Sequence, residues 1–223
     1  MKSILVIGLG RFGRHLSQKF MSLGNEVMIV DRDETAVTAL MDGVTSAQIA
    51  DCTDESALRA LGVHNFDECF VCIGSDFASS LLITSLLKDF GARRVVAKAS
   101  QDIHAKLLLR NGADEIVYPE RDSAERIAVR LSASNVFDYI ELTPDHAIYE
   151  LPPLPEWVGH TLGEIGVRNK YHINILAIKE SGELRPLPGA DYAFTGREHI
   201  LALAGREDAR RLLRRIESNS RFN

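Results

Sequence analysis

The amino-acid sequence predicts an α/β protein, with a doubly wound parallel sheet in the first half of the chain and a smaller α+β domain after it. Three observations lead to this fold class. The apolar run at residues 3–7 continues directly into the glycine-rich turn Gly8-Leu9-Gly10-Arg11-Phe12-Gly13. Short apolar runs then alternate with helical patterns as far as residue 118, and Thr143-Pro144-Asp145 interrupts that alternation.

The first 119 residues repeat a strand, a loop and a helix. Short apolar runs predict strands at residues 3–7, 27–30, 47–50, 70–73, 95–97 and 115–118. Apolar spacing and capping residues predict helices between them at residues 12–23, 33–41, 53–61, 78–90 and 103–110. Strands separated by helices pair in parallel through right-handed crossovers. We therefore expect one Rossmann-type sheet with its ligands at the carboxyl ends of the strands.

The glycine-rich turn has the spacing of a nucleotide-binding loop. Gly8, Gly10 and Gly13 permit a tight strand-to-helix turn and a close approach of the backbone to a phosphate, which the N-terminus of the following helix attracts. Asp31 ends the second strand, where a carboxylate can accept both hydroxyl protons of an adenosine ribose. The sequence therefore predicts a nucleotide site, and the alternative is a glycine-tightened turn without a ligand.

The composition disfavours several classes of protein. The 223 residues suffice for one large or two small domains, and 45% of them are hydrophobic. The net charge of −5 gives no general field for nucleic acid, so we expect no nucleic-acid partner. The first residues do not have the pattern of a signal peptide, and no apolar stretch reaches membrane-spanning length. We expect a cytoplasmic protein without direct membrane insertion, in contact with the membrane only through a partner.

The three cysteines, Cys52, Cys69 and Cys72, include a C-x-x-C spacing that is typical of metal or redox sites. The whole run of residues 68–74, which includes the strand predicted at 70–73, has the pattern of a buried parallel strand, where side chains three positions apart point to opposite faces. The two thiols cannot then bind one ion. We expect all three cysteines to be small, buried apolar side chains.

The loops after the predicted strands supply polar side chains but no catalytic set. A dehydrogenase needs an acid or base beside the hydride path and a substrate pocket, usually from a second domain of comparable size. The one candidate proton-transfer pair is Lys98 and His104. Contact of Lys98 with a nucleotide and a surface position for His104 account better for these residues. We therefore expect no enzyme.

Several segments match one family. The turn from Gly8 to Gly13, Val30-Asp31, Ile73-Gly74 and residues 112–122 closely resemble the RCK (regulator of K⁺ conductance) domain of bacterial Ktr and Trk potassium-uptake systems. The resemblance covers nearly the whole chain, which has one such unit, as Ktr regulators do. It implies a regulatory subunit at the inner face of the cell membrane. Such a subunit binds ATP, ADP or NAD(H) and gates a membrane-embedded potassium-translocating subunit.

The resemblance also assigns roles to individual residues. Arg11 matches the position that meets the terminal phosphates, where a fork-shaped cation suits an anion. Asp31 matches the ribose-binding acid and argues against NADP, although Arg32 beside it offers a partner for a 2′-phosphate. The other positions that match nucleotide-binding residues of relatives are Gly8, Gly10, Phe12, Gly13, Asp51, Cys52, Ile73, Gly74, Ser75, Lys98, Ala99 and His104.

Glu120 matches a family position near the γ-phosphates at a subunit interface, where it helps to hold Mg²⁺ or another divalent cation. A carboxylate beside phosphates requires such a cation, because like charges repel each other. The alternative is an ordinary Pro-Glu helix start, in which Glu120 complements the helix dipole.

Residues 120–141 have more apolar surface than the segment can bury by itself. Ala124, Ile127, Ala128 and Leu131 form one stripe of a helix, and residues 136–140 add further apolar side chains. The resemblance implies a pair of crossover helices that swap between protomers, hence a homodimer and, by analogy, an octameric ring. The predicted domains are a nucleotide-binding domain at 1–119, crossover helices and hinge at 120–141, and a C-terminal lobe at 142–223.

The C-terminal lobe begins where proline-containing segments interrupt the alternation of strands and helices. Thr161-Leu162-Gly163-Glu164 predicts a capped helix, and strands are predicted at 172–179 and 200–204, before a terminal helix at 206–216. Some relatives bind cyclic di-AMP between two such lobes. Arg168, Lys170 and Tyr171 are the candidate residues for that second effector, and the alternative is a basic surface turn with a packed tyrosine.

Two other functions remain as alternatives. A small NAD-dependent oxidoreductase or NADH redox sensor would require turnover or a response to NADH over NAD. A DNA-binding redox repressor of Rossmann type would require a basic winged-helix segment, which the sequence lacks.

Overall fold

The computed structural model describes residues 1–132 and 136–220. The chain divides into two compact units, Met1–Asp122 and Ser123–Asn223. Two apolar core clusters lie in the first unit and one lies in the second. Each unit therefore has its own core, as a separately packed domain requires.

The first unit is a parallel sheet with helices on both faces. Its strands are β1 (Ser3–Ile7), β2 (Glu26–Asp31), β3 (Ser46–Ile49), β4 (Glu68–Val71), β5 (Val95–Lys98) and β6 (Glu115–Val117). Its helices are α1 (Arg11–Ser22), α2 (Glu34–Thr38), α3 (Glu55–Ala60), α4 (Phe77–Asp89) and α5 (Asp102–Arg110). The strand order is β3-β2-β1-β4-β5-β6, and the neighbouring strands are parallel.

Strand β1 is buried on both faces of this sheet. Ile4 and Val6 pack into one core cluster, while Leu5 and Ile7 pack into the other. A continuous apolar run is what a central parallel strand requires, because alternate residues face opposite sides. The strand order reverses between β1 and β4, so the crevice for a ligand lies outside the carboxyl ends of these two strands. The predicted Rossmann-type sheet is confirmed.

The elements of the first unit lie within three residues of their predicted ends. The largest difference is α2, which ends at Thr38 and is followed by a short 3₁₀ turn at Met41–Gly43. Gly24 follows the C-cap residue Leu23 of α1 and adopts φ +78°, a conformation that glycine favours at the end of a helix.

Helix α6 (Pro119–Ser132) begins in the first unit and continues into the second. Pro119 opens the helix, and Glu120 lies in its first turn, where acids complement the helix dipole. Ile127 and Leu131, two residues of the predicted apolar stripe, are exposed in the single chain.

The second unit is built on an antiparallel sheet. Its strands are β7 (Asp138–Thr143), β8 (His146–Leu151), β9 (Ile173–Glu180), β10 (Glu183–Pro186) and β11 (His199–Gly205), in the order β10-β9-β11-β8-β7. Its helices are α7 (Leu162–Ile165), α8 (Val167–Tyr171) and α9 (Arg206–Ser220). Trp157 and Phe194 lie fully buried in its core. The Thr161 capping box is confirmed, and with it the small α+β C-terminal domain.

The predicted second crossover helix is wrong. Residues 138–143 form strand β7, which pairs with β8 through the turn at Pro144 and Asp145. A proline turn beside this segment favours a hairpin, and pairing with β8 determines the structure of residues that the resemblance alone had placed in the crossover. The predicted boundary at Leu142 therefore falls inside β7. The part of the predicted crossover at 133–135 lies outside the described residues.

In the parts of the chain that the structure describes, no helix is long and apolar enough to cross a membrane.

Candidate nucleotide-binding site

A cavity of about 210 Å³ lies at the carboxyl ends of the central strands of the first unit. It is lined by Ile7, Gly8, Gly10, Asp31, Arg32, Ala50, Asp51, Cys52, Thr53, Cys72, Ile73, Gly74, Ser75, Asp76, Ser79 and Ile83. These residues lie at the carboxyl ends of β1 to β4, in the loops after these strands and at the start of α4, so the cavity occupies the position where the strand order reverses. Because ligand pockets usually measure roughly 300–1,000 Å³, a nucleotide bound here would extend beyond the cavity.

The glycine-rich turn is shaped by close backbone contacts. Gly8 adopts φ +93°, in the region that favours glycine, and lies against Cys72 and Ile73. A Cβ at Gly13 would overlap the carbonyl oxygen of Gly8, so α1 can approach β1 only because residue 13 is glycine. A Cβ at Gly10 would meet nothing within 4 Å. The fold thus requires glycine at positions 8 and 13, whereas Gly10 leaves open space beside the cavity.

The N-terminus of α1 is available to an anion. Gly10 is its N-cap residue and provides no side-chain hydrogen bond, and the first turn contains no acidic residue. Arg11 is exposed at the first position of this helix. Backbone N–H groups and the positive end of the helix dipole attract anions at such a terminus. The arrangement suits a phosphate above Gly10 with Arg11 beside it.

Asp31 ties the glycine-rich turn to the end of β2. Its Oδ2 accepts a hydrogen bond from the Leu9 N–H at 2.6 Å, and its Oδ1 accepts one from the Asp33 N–H at 2.9 Å. A carboxylate offers about four acceptor positions, so two remain for ribose hydroxyls. The structure therefore gives Asp31 a second task, positioning the turn.

Two further carboxylates of the cavity wall are held by local hydrogen bonds. The backbone N–H and hydroxyl of Thr53 hold the pKa of Asp51 below its usual value. The hydroxyl and backbone N–H of Ser79 do the same for Asp76. Both side chains are therefore charged at neutral pH. With Asp31 they give the wall three acids against the single cation Arg32.

The cysteines are unsuited to redox or metal chemistry. Burial raises the pKa of Cys52, Cys69 and Cys72 to about 12 in each case. Cys69 and Cys72 belong to different core clusters on opposite faces of the sheet. The prediction of buried, apolar thiols is confirmed. The described residues contain no group of three or more His, Cys, Asp or Glu side chains that could hold a metal ion.

Lys98 and Glu120 form an ion pair beside the cavity. Lys98 ends β5, and its Nζ donates to Glu120 Oε1 at 2.6 Å. The hydrogen bond from Lys98 holds the pKa of Glu120 below its usual value. A Cβ at Gly74 would lie 3.1 Å from Lys98 Nζ, so the ammonium group lies against a residue of the cavity wall.

The structure brings most of the predicted site together. Nine predicted residues line the cavity: Gly8, Gly10, Asp31, Arg32, Asp51, Cys52, Ile73, Gly74 and Ser75. Seven do not line it: Arg11, Phe12, Gly13, Lys98, Ala99, His104 and Glu120. Phe12 packs on the core, Ala99 is buried, and the His104 ring stacks on Phe77 with centroids 4.0 Å apart. Nucleotide contacts by all of these residues remain predictions.

Sequence reasoning missed seven lining residues, namely Ile7, Ala50, Thr53, Cys72, Asp76, Ser79 and Ile83. Asp76 and Ser79 had a usable signal. An Asp that caps a helix directly after a predicted strand must lie at the carboxyl edge of a parallel sheet.

The candidate second-effector residues separate into two cavities of the second unit. Arg168 lines a cavity of about 350 Å³ with Ile175 and Pro188. Lys170 and Tyr171 line another, of about 280 Å³, together with Arg211, Arg214 and Arg215 of α9. The three residues therefore do not line one common cavity, although the sequence places them within four positions.

Comparison with known proteins agrees with this geometry. The TrkA-N domain model matches residues 4–119, and the TrkA-C domain model matches residues 146–217. The chain belongs to the TrkA-N/TrkA-C family. It is 39% identical to Ktr system potassium uptake protein C of Bacillus subtilis, over 96% of this chain and 97% of that protein. Ktr system potassium uptake protein A of the same organism is 35% identical, over 94% and 95% of the two chains.

Solved structures share the fold of this TrkA-N/TrkA-C protein. The RCK domain of GsuK superposes with a TM-score of 0.66 at 20% identity, over 96% of this chain and 47% of that one. The GsuK channel bound to NAD gives a TM-score of 0.67 at 19% identity, over 97% and 39%. The chain thus spans less than half the length of these structures. The resemblance to RCK domains of potassium-uptake systems is confirmed.

Proposed function

We propose that this TrkA-N/TrkA-C protein is a nucleotide-sensing regulatory subunit of a potassium uptake system. The observation that carries the proposal is the cavity at the β1–β4 switch point, bounded by the glycine-rich turn, the uncapped N-terminus of α1 and Asp31. Two proteins that are similar to this chain over nearly its full length are named as Ktr system potassium uptake proteins.

The ligand of the cavity is an adenine nucleotide, ATP, ADP or NAD(H). Asp31 would accept the ribose hydroxyls, and Gly10 and the first turn of α1 would receive the phosphates. One structural neighbour is a channel bound to NAD and another is bound to ADP. The three acids of the wall disfavour an extra phosphate on the ribose, in line with discrimination against NADP.

Discrimination between ATP and ADP would arise at Arg11 and Glu120. Arg11 lies at the exposed start of α1, where the terminal phosphates would extend beyond the cavity. Glu120 provides a single carboxylate, so a divalent cation such as Mg²⁺ would need the phosphates as its other ligands. A nucleotide shifts a conformational equilibrium only by its difference in affinity for the two states, and the third phosphate supplies that difference.

The mechanism is conformational, and the protein is not an enzyme. Its partner would be the membrane-embedded potassium-translocating subunit, which would place the protein at the inner face of the cell membrane. The exposed stripe with Ile127 and Leu131 on α6 would pair in a homodimer, and dimers would assemble into an octameric ring. If cyclic di-AMP is a second effector, the cavity at Arg168 and the cavity at Lys170 and Tyr171 are two separate candidates.

Calorimetric titration with ATP, ADP, NAD, NADH and cyclic di-AMP, with and without Mg²⁺, tests the proposal. We expect binding of ATP that depends on the cation and differs from binding of ADP. Arg11→Ala should weaken ATP binding by about tenfold and ADP binding less, because a charge-assisted phosphate contact is lost.

Lys19→Ala is the matched control, since it removes a cation from the last turn of the same helix. Equal losses for ATP and ADP would remove Arg11 from the sensing role. Preference for NADH with indifference to ATP would instead favour the redox sensor or oxidoreductase.

A further inference from the structure

Lys98 is positioned to respond to a phosphate. It is the last residue of β5, at the same edge of the sheet as the cavity, and its side chain is only 13% exposed. Its ammonium group lies against Gly74, where a Cβ would come within 3.1 Å of Nζ. The glycine therefore provides the space through which the ammonium group reaches the cavity wall.

The partner of Lys98 is held much less firmly. The side chain of Glu120 is 70% exposed, and the ion pair spans 2.6 Å. Water competes for the exposed carboxylate of Glu120, which weakens its interaction with the ammonium group. The shielded member of the pair is the cation, so the acid can leave at small cost only when another anion takes its place.

The charges around the cavity favour such an exchange. The wall contains three carboxylates, those of Asp31, Asp51 and Asp76, against the guanidinium of Arg32. A phosphate that enters this region needs cations to offset the repulsion from the acids. Phosphate oxygens are also strong acceptors for a lysine ammonium group. A phosphate at this edge would therefore compete with Glu120 for the Lys98 ammonium group.

We infer that Lys98 exchanges Glu120 for a phosphate oxygen of the bound nucleotide, so that nucleotide binding releases Glu120 from the edge of the sheet. The inference rests on the proposed nucleotide function and adds to it the competition between Glu120 and the phosphate for the Lys98 ammonium group. Without a divalent cation Glu120 competes with the phosphate for Lys98. With a cation, the released carboxylate becomes available as a ligand.

The exchange acts on the start of α6. Two ion pairs connect the first turn of this helix to the first unit, Lys98–Glu120 and Arg121–Asp102. The Arg121 guanidinium also stacks on the Tyr118 ring, 3.5 Å from its centroid. Loss of the first pair leaves the second in place. The nucleotide therefore loosens one of two connections at the helix that continues into the second unit.

A double-mutant cycle on the full chain tests the exchange, with ATP affinity measured by calorimetry in EDTA. Glu120→Gln should raise ATP affinity about threefold, because the competitor is removed. Lys98→Met should lower it about tenfold. In the Lys98→Met background, Glu120→Gln should change the affinity less than twofold. Lys98→Gln provides the neutral background if Lys98→Met does not fold.

Mg²⁺ should reverse the sign for Glu120→Gln, which then loses ATP affinity because a cation ligand is missing. Glu125→Gln, which removes the same charge at another exposed position of α6, should change neither measurement. An equal gain from Glu120→Gln in both Lys98 backgrounds would indicate direct repulsion and overturn the exchange. No change in either background would do the same. Failure of the wild-type chain to bind any adenine nucleotide would instead overturn the proposed function.

Discussion

The two units of the chain gather their side chains in opposite ways. In the first unit the carboxyl ends of parallel strands meet at one edge, so Gly10, Asp31, Asp51 and Gly74 line one cavity although they are far apart in sequence. In the second unit neighbouring strands are antiparallel, and successive strand ends lie at opposite edges. There no shared edge gathers the candidate residues, and Arg168 and Lys170, two positions apart on α8, point to different faces of the helix and line different cavities. Topology locates a binding site better than proximity in sequence does.

The units also bury different polar groups. Among the described residues, the buried polar side chains of the first unit are the hydroxyl residues Ser17, Ser80 and Thr84, whereas those of the second are Glu150 and Glu198. Ser17 and Thr84 donate to backbone carbonyls of their own helices. The carboxylates are charged and need several partners each. The stability of the first unit should therefore be most sensitive to close packing of the backbone, and the stability of the second unit to the charge state of its buried carboxylates.

The largest expected effect breaks the backbone fit of the first unit. Gly13→Ala should lower the free energy of unfolding by about 3 kcal/mol, because the new Cβ overlaps the backbone carbonyl of Gly8 and one of the two backbone segments must shift. Denaturant unfolding measures this loss. Gly10→Ala is the matched control and should cost less, about 0.5–1 kcal/mol, because a Cβ there meets open space and only the preference for glycine over alanine at the N-cap position is lost.

Equal destabilisation by the two substitutions would contradict the assignment of separate roles to Gly13 and Gly10. A stable Gly10→Ala variant that loses nucleotide affinity would support phosphate approach at Gly10. The pair thus separates the structural glycine from the proposed binding glycine within one turn.

The difference between the units also explains what the sequence could predict. The sheet of the first unit and nine of its cavity residues were predictable, because hydrophobic periodicity, glycine spacing and strand ends can be read locally from the sequence. Parallel pairing then places the residues at the ends of all these strands at one edge of the sheet. The crossover predicted at 120–141 failed over residues 138–141, because their structure depends on pairing with β8, a tertiary contact that the segment does not encode alone. The Lys98–Glu120 pair was missed as a contact for the same reason.

A smaller effect should appear in the pH dependence of stability, which we expect to be carried by the buried carboxylates of the second unit. Burial raises the pKa of Glu150, but hydrogen bonds from His199 at 2.8 Å and Lys179 at 2.9 Å outweigh it, so the pKa lies below its usual value. The pKa of Glu198 is also below its usual value, because hydrogen bonds from Thr195 and Arg197 outweigh the effect of burial. A carboxyl group with a lowered pKa contributes stability above its unfolded pKa of about 4.3, and this contribution is lost as the pH falls through the folded pKa.

The single tryptophan, Trp157, lies in the core of the second unit and reports its unfolding by fluorescence. We expect stability measured this way to fall as the pH decreases from about 5 to 3. Glu150→Gln should cost about 1–3 kcal/mol at pH 7 and progressively less towards pH 3, which flattens the profile. Glu183→Gln, at an exposed position of β10, should retain the wild-type profile. A Glu150→Gln profile as steep as the wild type would assign the acid sensitivity to other groups.

The smallest expected effect concerns the reactivity of the cysteine thiols, which should be very low in the native protein. All three cysteines lie in the first unit, so their reactivity reports this unit and not the second. A pKa of about 12 for each thiol leaves about one thiolate in ten thousand at pH 8. Labelling with a disulfide reagent should therefore be very slow in the native protein and reach three thiols only in denaturant.

The cysteines report unfolding of the first unit, and Trp157 reports unfolding of the second. Gly13→Ala should therefore accelerate cysteine labelling clearly and leave the denaturant midpoint of the Trp157 fluorescence transition nearly unchanged. Rapid labelling of native Cys52, the thiol on the cavity wall, would show that the cavity opens and would restore a redox role for this edge of the sheet.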